Sequence, residues 1–144
     1  MNDAAAAVMV MSKEKADELK LPYLLIIKDF ATVGLDHHVM GLGPIYAVQK
    51  LVKKTGISLD QVDLIEINEA FASQSIACIR ELQLDMEKVN VNSAAIALGH
   101  PLGATGAVLA IKLAYALQKA GKKYGIVTMC VGGGHGAAAL FERP

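Results

Sequence analysis

Asp63-Leu64-Ile65-Glu66-Ile67-Asn68-Glu69-Ala70-Phe71-Ala72 is the stretch that sets the fold class. Residues 63–67 form a short run rich in Leu and β-branched Ile, which reads as a strand. Asn68 then leads into a helix expected from about Glu69 to Glu81. A buried strand feeding directly into a helix is one half of a layered α/β unit. Upstream, Gly41-Leu42-Gly43-Pro44 breaks the chain, and Pro44 suits the first turn of a helix, where its missing N–H costs nothing. Ile45, Val48, Leu51 and Val52 recur at helical spacing, and Gly56 suits the helix end. Ser58 to Val62 is a short capped turn. Leu24 to Val33 is β-rich and reads as a longer strand. Before it, Ser12 caps a brief helix from Lys13 to Leu19, and Ala5 to Met11 reads as a buried strand.

Downstream, Val89 to Val91 is a short extended piece, followed by a loop from Asn92 to Leu102. Gly103 to Lys119 is the longest helix. Tyr124 to Met129 is an apolar strand ending at Cys130, Gly132 to Gly136 is a tight loop, and Ala137 to Phe141 is a final strand. Strands alternating with helices give one α/β domain over residues 1–144.

Composition narrows the function classes. The chain has 144 residues, with 14 Lys+Arg against 14 Asp+Glu and a formal net charge of zero. That excludes a nucleic-acid binder held by a basic stripe and a polybasic membrane binder. Apolar residues make up 53% and charged ones 19%, with mean hydropathy +0.39. An ordinary soluble domain carries about a quarter charged residues. A spanning helix needs about 20 apolar residues in a row, and the longest run here is Ala4 to Met11. The start, with Asp3 and no Lys or Arg, is not a signal peptide. The excess apolar surface is therefore expected to be covered by a partner. Cys78 and Cys130 are too few for a disulfide framework, which points to a reducing cytoplasm. The adjacent His37-His38 pair cannot make a metal site alone, so no metal is expected.

Three segments put reactive side chains at element boundaries, where functional residues concentrate. They are Asn68 to Ala72, Gly99-His100-Pro101-Leu102-Gly103-Ala104-Thr105-Gly106, and Cys130-Val131-Gly132-Gly133-Gly134-His135-Gly136. His100 precedes a glycine-rich helix entry, where a base is favoured over a cation. Taken alone, it also reads as a turn histidine. The segment has no Lys, so it is not a mononucleotide phosphate loop. Cys130 begins a glycine run whose exposed N–H groups can stabilise an oxyanion, or it is an inert buried thiol. Asn68 reads as a helix cap or as a site residue. Cys78 is assigned to the core, and His37 and His38 to a solvated loop.

Together the segments resemble the C-terminal domain of the thiolases, the acetyl-CoA acyltransferases, over essentially the whole chain. Asn2 to Ala6, Met40-Gly41-Leu42-Gly43-Pro44, Asn68 to Ala72, Ala97 to Gly103 and Cys130-x-Gly-Gly-Gly-x-Gly are similar to that family's motifs, in order. The resemblance implies a half-unit of the thiolase fold, with an about five-stranded mixed sheet and helices on its faces. It implies acyl transfer between CoA thioesters, with an acyl-CoA as substrate and no separate cofactor. His100 would take the proton from a nucleophilic cysteine. Cys130 would be the general acid/base at the substrate α-carbon. Asn68 would position a water that, with His100, forms one oxyanion hole, and the Gly132 N–H would contribute to a second. Phe71 would line the pantetheine tunnel.

The family's nucleophile belongs to its N-terminal domain, and neither cysteine here stands in that context. The expected partner is therefore an N-terminal thiolase half, with a homo-oligomer as the assembly, and the chain by itself is expected to be inactive. The alternative is a non-catalytic relic domain that dimerises or binds CoA weakly. Ser93-Ala94 stands where the family commonly has two glycines, and His135 replaces a more usual amide or apolar residue.

Overall fold

The computed structural model describes residues 2–144. Helix α1 spans Lys13–Glu18, with the Ser12 side chain accepting from the Lys15 N–H as its cap. Strand β1 is Ile26–Gly34 and helix α2 is Gly43–Thr55. Strand β2 is Leu64–Ile67, followed by α3 at Ala72–Glu81. A short α4 at Ala95–Leu98 precedes α5 at Thr105–Ala120. Strands β3 at Tyr124–Val131 and β4 at His135–Glu142 close the chain. Short 3-10 segments lie at His37–Leu42, Leu59–Gln61 and Met86–Lys88.

The sheet has four strands in the order β1-β4-β3-β2, not five. The pairs β1/β4 and β3/β4 are antiparallel, and β2/β3 is parallel, so the sheet is mixed as expected. The count drops because Ala5 to Met11 forms no strand. A strand exists only through ladder partners, and this segment has none among the described residues. Its Val8, Met9 and Val10 are exposed instead. Apolar composition marked the segment, but composition cannot supply a neighbour. The extended piece at Val89 contributes only a single bridge to Ile65.

Helices cover both faces. On one face, Ile45, Val48 and Leu51 of α2 pack against Ile65, Ile67, Ile126 and Leu140. On the other, Leu109, Leu113 and Leu117 of α5, four residues apart, pack against Leu64, Val127 and Phe141. Gly125 lets α5 sit this close: a Cβ there would lie 2.5 Å from a Leu113 methyl. The arrangement brings the C-terminal ends of parallel β2 and β3 side by side. In open α/β sheets that edge is where ligands bind.

Candidate active site

Asn68 leaves β2 with its backbone N–H donating to the Thr128 carbonyl of β3 at 3.0 Å. This places it beside the end of β3, where Cys130 sits. Asn68 does not cap a helix. Helix α3 starts three residues later than expected for a cap at Asn68, at Ala72, and Phe71 takes the cap position. The Asn68 side chain is buried at 1% exposure and turns elsewhere. Its Nδ2 lies 3.3 Å from His100 Nε2, and its Oδ1 has no hydrogen-bond partner among the described residues. Buried amide oxygens are almost always paired, and Oδ1 at this strand end can accept one more hydrogen bond.

His100 is fixed from both ring nitrogens. The expected loop Asn92 to Leu102 contains α4, which ends at Gly99 with φ 92°. That left-handed turn aims His100 back at Asn68. Its Nδ1 lies 2.7 Å from Thr105 Oγ1. The Thr105 hydroxyl donates its one hydrogen to the Pro101 carbonyl at 3.1 Å, so it accepts from His100 Nδ1–H. The Nε2 lone pair is thereby left facing Asn68 Nδ2, which donates to it. This pattern is that of the Nδ1–H tautomer, with Nε2 turned toward the strand ends.

Cys130 is the penultimate residue of β3, half-buried, and burial pushes its thiol above the ordinary range. The hairpin beyond it turns through Gly133 and Gly134, both near φ 84°. Gly132 opens this turn, and the Gly134 carbonyl accepts from Leu35 N–H at 2.8 Å. The turn is seated on the start of α2: a Cβ on Gly43 would lie 2.6 Å from the His135 carbonyl and 2.8 Å from Gly136 Cα. Only glycine permits that backbone-on-backbone contact. His135 is exposed, and its Nδ1 lies 3.2 Å from the Gly132 carbonyl, to which it donates. Phe71 is 69% exposed, and Leu98 and Leu102, which flank His100 in sequence, are also exposed.

Several site features carried no sequence signal of their own. Thr105 is buried and became visible only through its bond to the ring. Its one sequence cue is its place at the start of α5, five residues after His100. The Glu69 carboxylate accepts from Asn90 Nδ2 at 3.1 Å and from Ile96 N–H at 3.0 Å. Glu66, 1% exposed, pairs with Lys112 at 2.8 Å, and Lys112 also donates to the Ser93 carbonyl. Burial pushes the Glu66 carboxyl up, opposed by the Lys112 ammonium. Ser93 holds φ 62°, the left-handed conformation glycine adopts freely, so the Ser93-Ala94 departure is carried at some strain. Cys78 is fully buried and donates to the Gly41 carbonyl at 3.5 Å, a core role as expected. His37 and His38 are exposed on a 3-10 turn rather than a plain loop. Asp36 joins them, with its Oδ1 2.9 Å from His38 Nδ1.

Residues 21–143 match the family model described as thiolase, C-terminal domain. The chain is 54% identical over 144 residues to an acetyl-CoA acetyltransferase of Syntrophomonas wolfei, covering 99% of this chain and 36% of that protein. It is 52% identical over 141 residues to a 3-ketoacyl-CoA thiolase of Bacillus subtilis, covering 98% and 36%. The crystal structure of the Bacillus anthracis acetyl-CoA acetyltransferase superposes with a TM-score of 0.91 at 46% identity, over 93% of this chain and 34% of that one. Human mitochondrial 3-ketoacyl-CoA thiolase in complex with CoA gives 0.89 at 40% identity, over 92% and 34%. The chain thus spans about a third of the length of the relatives it matches. No described helix is long and apolar enough to cross a membrane. A histidine held against a strand-end asparagine, a thiol entering a glycine turn, and this close sequence and structural likeness agree: the chain belongs to the thiolase family, within its C-terminal domain.

Proposed function

We propose that these residues supply the acid/base and oxyanion half of a thiolase site, transferring acyl groups between CoA thioesters. The nucleophilic cysteine would come from an N-terminal thiolase domain outside these 144 residues. The observation that carries the reading is the Asn68–His100–Thr105 arrangement, which commits Nδ1 to Thr105 and turns Nε2 to the strand ends; proton transfer there requires Asn68 Nδ2 to release its 3.3 Å contact with that lone pair. In acylation, His100 Nε2 takes the nucleophile's thiol proton as its sulfur attacks the thioester carbonyl. The new C–S bond forms, the bond to the CoA sulfur breaks, and the proton passes to the departing CoA thiolate. The protonated Nε2–H and a water donating to Asn68 Oδ1 face the developing oxyanion. The Gly132 N–H serves a second oxyanion. Cys130 handles the α-proton: it donates to the leaving carbanion in thiolysis and removes a proton in condensation. A thiol pushed up by burial is protonated at neutral pH, as the donor role requires. Phe71 offers an exposed aromatic face to the pantetheine arm. The free cysteines fit a reducing, cytoplasmic setting.

The test is a chimera in which this chain replaces the matched segment of the Bacillus subtilis thiolase. It should cleave acetoacetyl-CoA. Removing an acid/base group costs about 10²–10⁴-fold. His100→Ala should abolish acylation, whereas Cys130→Ser should still acylate but fail at the α-proton step. A folded chimera without turnover, or a Cys130→Ser variant at full rate, would overturn the proposal.

A further inference from the structure

We propose that Glu69 is a positioning residue that holds His100 in its single working orientation through α4. The base it orients is given its role by the acyl-transfer reading above, but the positioning itself is a property of this chain. The starting observation is that α4 has four residues and its N-cap, Ala94, offers no side-chain acceptor. The Ile96 N–H, at the second position of that helix, has no intrahelical partner. Glu69 Oε2 accepts from it at 3.0 Å. The carboxylate therefore caps α4 from a distant part of the chain, with the added benefit of a negative charge at the helix start.

The other oxygen, Oε1, accepts from Asn90 Nδ2 at 3.1 Å. Asn90 is itself locked to the end of β2: its Oδ1 accepts from the Ile67 N–H at 2.9 Å and its Nδ2 donates to the Ile67 carbonyl at 3.0 Å. One side-chain amide thus continues the sheet where no strand follows, and Glu69 is braced on it. Asn68 and Glu69, neighbours in sequence, grip the same loop at two places. Asn68 touches the His100 ring, and Glu69 holds the helix whose C-cap, Gly99, turns the chain into His100. The path closes as a ring: Ile67, Asn90, Glu69, Ile96, Gly99, His100, Asn68. Lys112 adds a second anchor on this loop by donating to the carbonyl of strained Ser93.

Both carboxylate oxygens accept, so charge and shape are both needed. In Glu69→Gln one oxygen becomes an NH₂ that can only donate, and it must face either the Ile96 N–H or the Asn90 NH₂. One of the two contacts is lost at almost unchanged volume. The experiment is NMR on the full chain, with hydrogen exchange at the Ile96 amide and ¹⁵N spectra of the His100 ring. In the unmodified chain, Ile96 should exchange slowly despite its exposed side chain, and His100 should show a single Nδ1–H tautomer. In Glu69→Ala, which removes both acceptors, Ile96 exchange should rise about tenfold, as expected for losing a charged hydrogen bond; in Glu69→Gln either that amide or the Asn90 contact is released. The ring signals should move toward a tautomer mixture. In the chimera the same variant should lower kcat with KM little changed.

Fast Ile96 exchange in the unmodified chain overturns the proposal without any variant, since no other acceptor protects that amide. A Glu69→Gln chain whose ring signals stay put while Ile96 exchange rises also overturns it, reducing Glu69 to a helix cap. Ring signals that shift in a chain whose chimera never turns over would instead sink the acyl-transfer reading and leave the positioning role intact.

Discussion

Asn68 and His100 meet because each is denied its ordinary local role. Asn68 is buried before a helix that starts without it, and His100 has its Nδ1 committed to Thr105. Truncating Asn68 to alanine removes the donor to Nε2 and the orphan acceptor together. In the chimera this should weaken transition-state binding by roughly 2–4 kcal/mol, the range for one oxyanion-hole donor. Asn68→Asp keeps the shape but sets a charge beside the oxyanion, so it should do no better than alanine; a fully active Asp variant would return Asn68 to a structural role. Burial pushes the Cys130 and Cys78 thiols up. Both folded values lie above the unfolded one, so their stabilising effect is complete below the ordinary thiol range of about 8.5. It should be lost as pH rises through the folded values. Iodoacetamide should therefore modify Cys130 more slowly than a free thiol at pH 8, and the gap should close as pH climbs. A rate equal to that of a free cysteine at pH 8 would refute this.

The elements around the site are joined by a buried charge pair as much as by apolar packing. Glu66 of β2 and Lys112 of α5 meet at 2.8 Å with little solvent access. Breaking such a pair from one side costs about 3–5 kcal/mol, because the remaining charge is stranded. Lys112→Ala should thus lower stability by that order near pH 7. The sign with pH follows from Glu66. Its carboxyl is already pushed up by burial, and loss of the ammonium raises it further. The penalty should be small near pH 4, where the unfolded carboxyl is itself largely protonated, and grow as pH rises above it. Urea melts at the two pH values measure this, and an equal loss at both would rule it out. Adding Glu66→Gln to Lys112→Ala should recover part of the stability.

The whole molecule leaves apolar surface uncovered in two places. Ala4 to Met11 has no regular secondary structure and is largely exposed. Helix α5 covers β2 and β3, while the same face over β1 and β4 is an open cleft lined by Phe30, Met129, Ala137, Ala139 and Phe141. Exposed patches beyond a few hundred Å² usually mark contact sites. The 144-residue chain alone should therefore self-associate, and a thiolase N-terminal domain should compete for the same surface. Alone it should neither cleave nor form acetoacetyl-CoA, because neither Cys78 in the core nor Cys130 in its glycine turn has the setting of an acyl-accepting nucleophile. Sedimentation over a concentration series and a thiolysis assay check both expectations. A monomer at high concentration would count against the uncovered faces, and turnover above background against the divided site.

The sequence by itself determined the α/β class, most element positions, and the segments that meet at the site. These are local matters: short β-rich apolar runs, helical spacing of apolar residues, and Pro44 at a helix start after a breaker cluster. Tertiary structure decided the rest. Whether Ala5 to Met11 becomes a strand depends on a neighbour that its own residues cannot provide. Whether Asn68 caps a helix or holds His100 depended on α3 starting at Ala72, with Phe71 in the cap position. Thr105, Glu69, Asn90 and Lys112 look like ordinary polar residues in the sequence. Their roles arise from contacts 5 to 46 positions apart along the chain, and no local pattern encodes a partner that only folding brings within 3 Å.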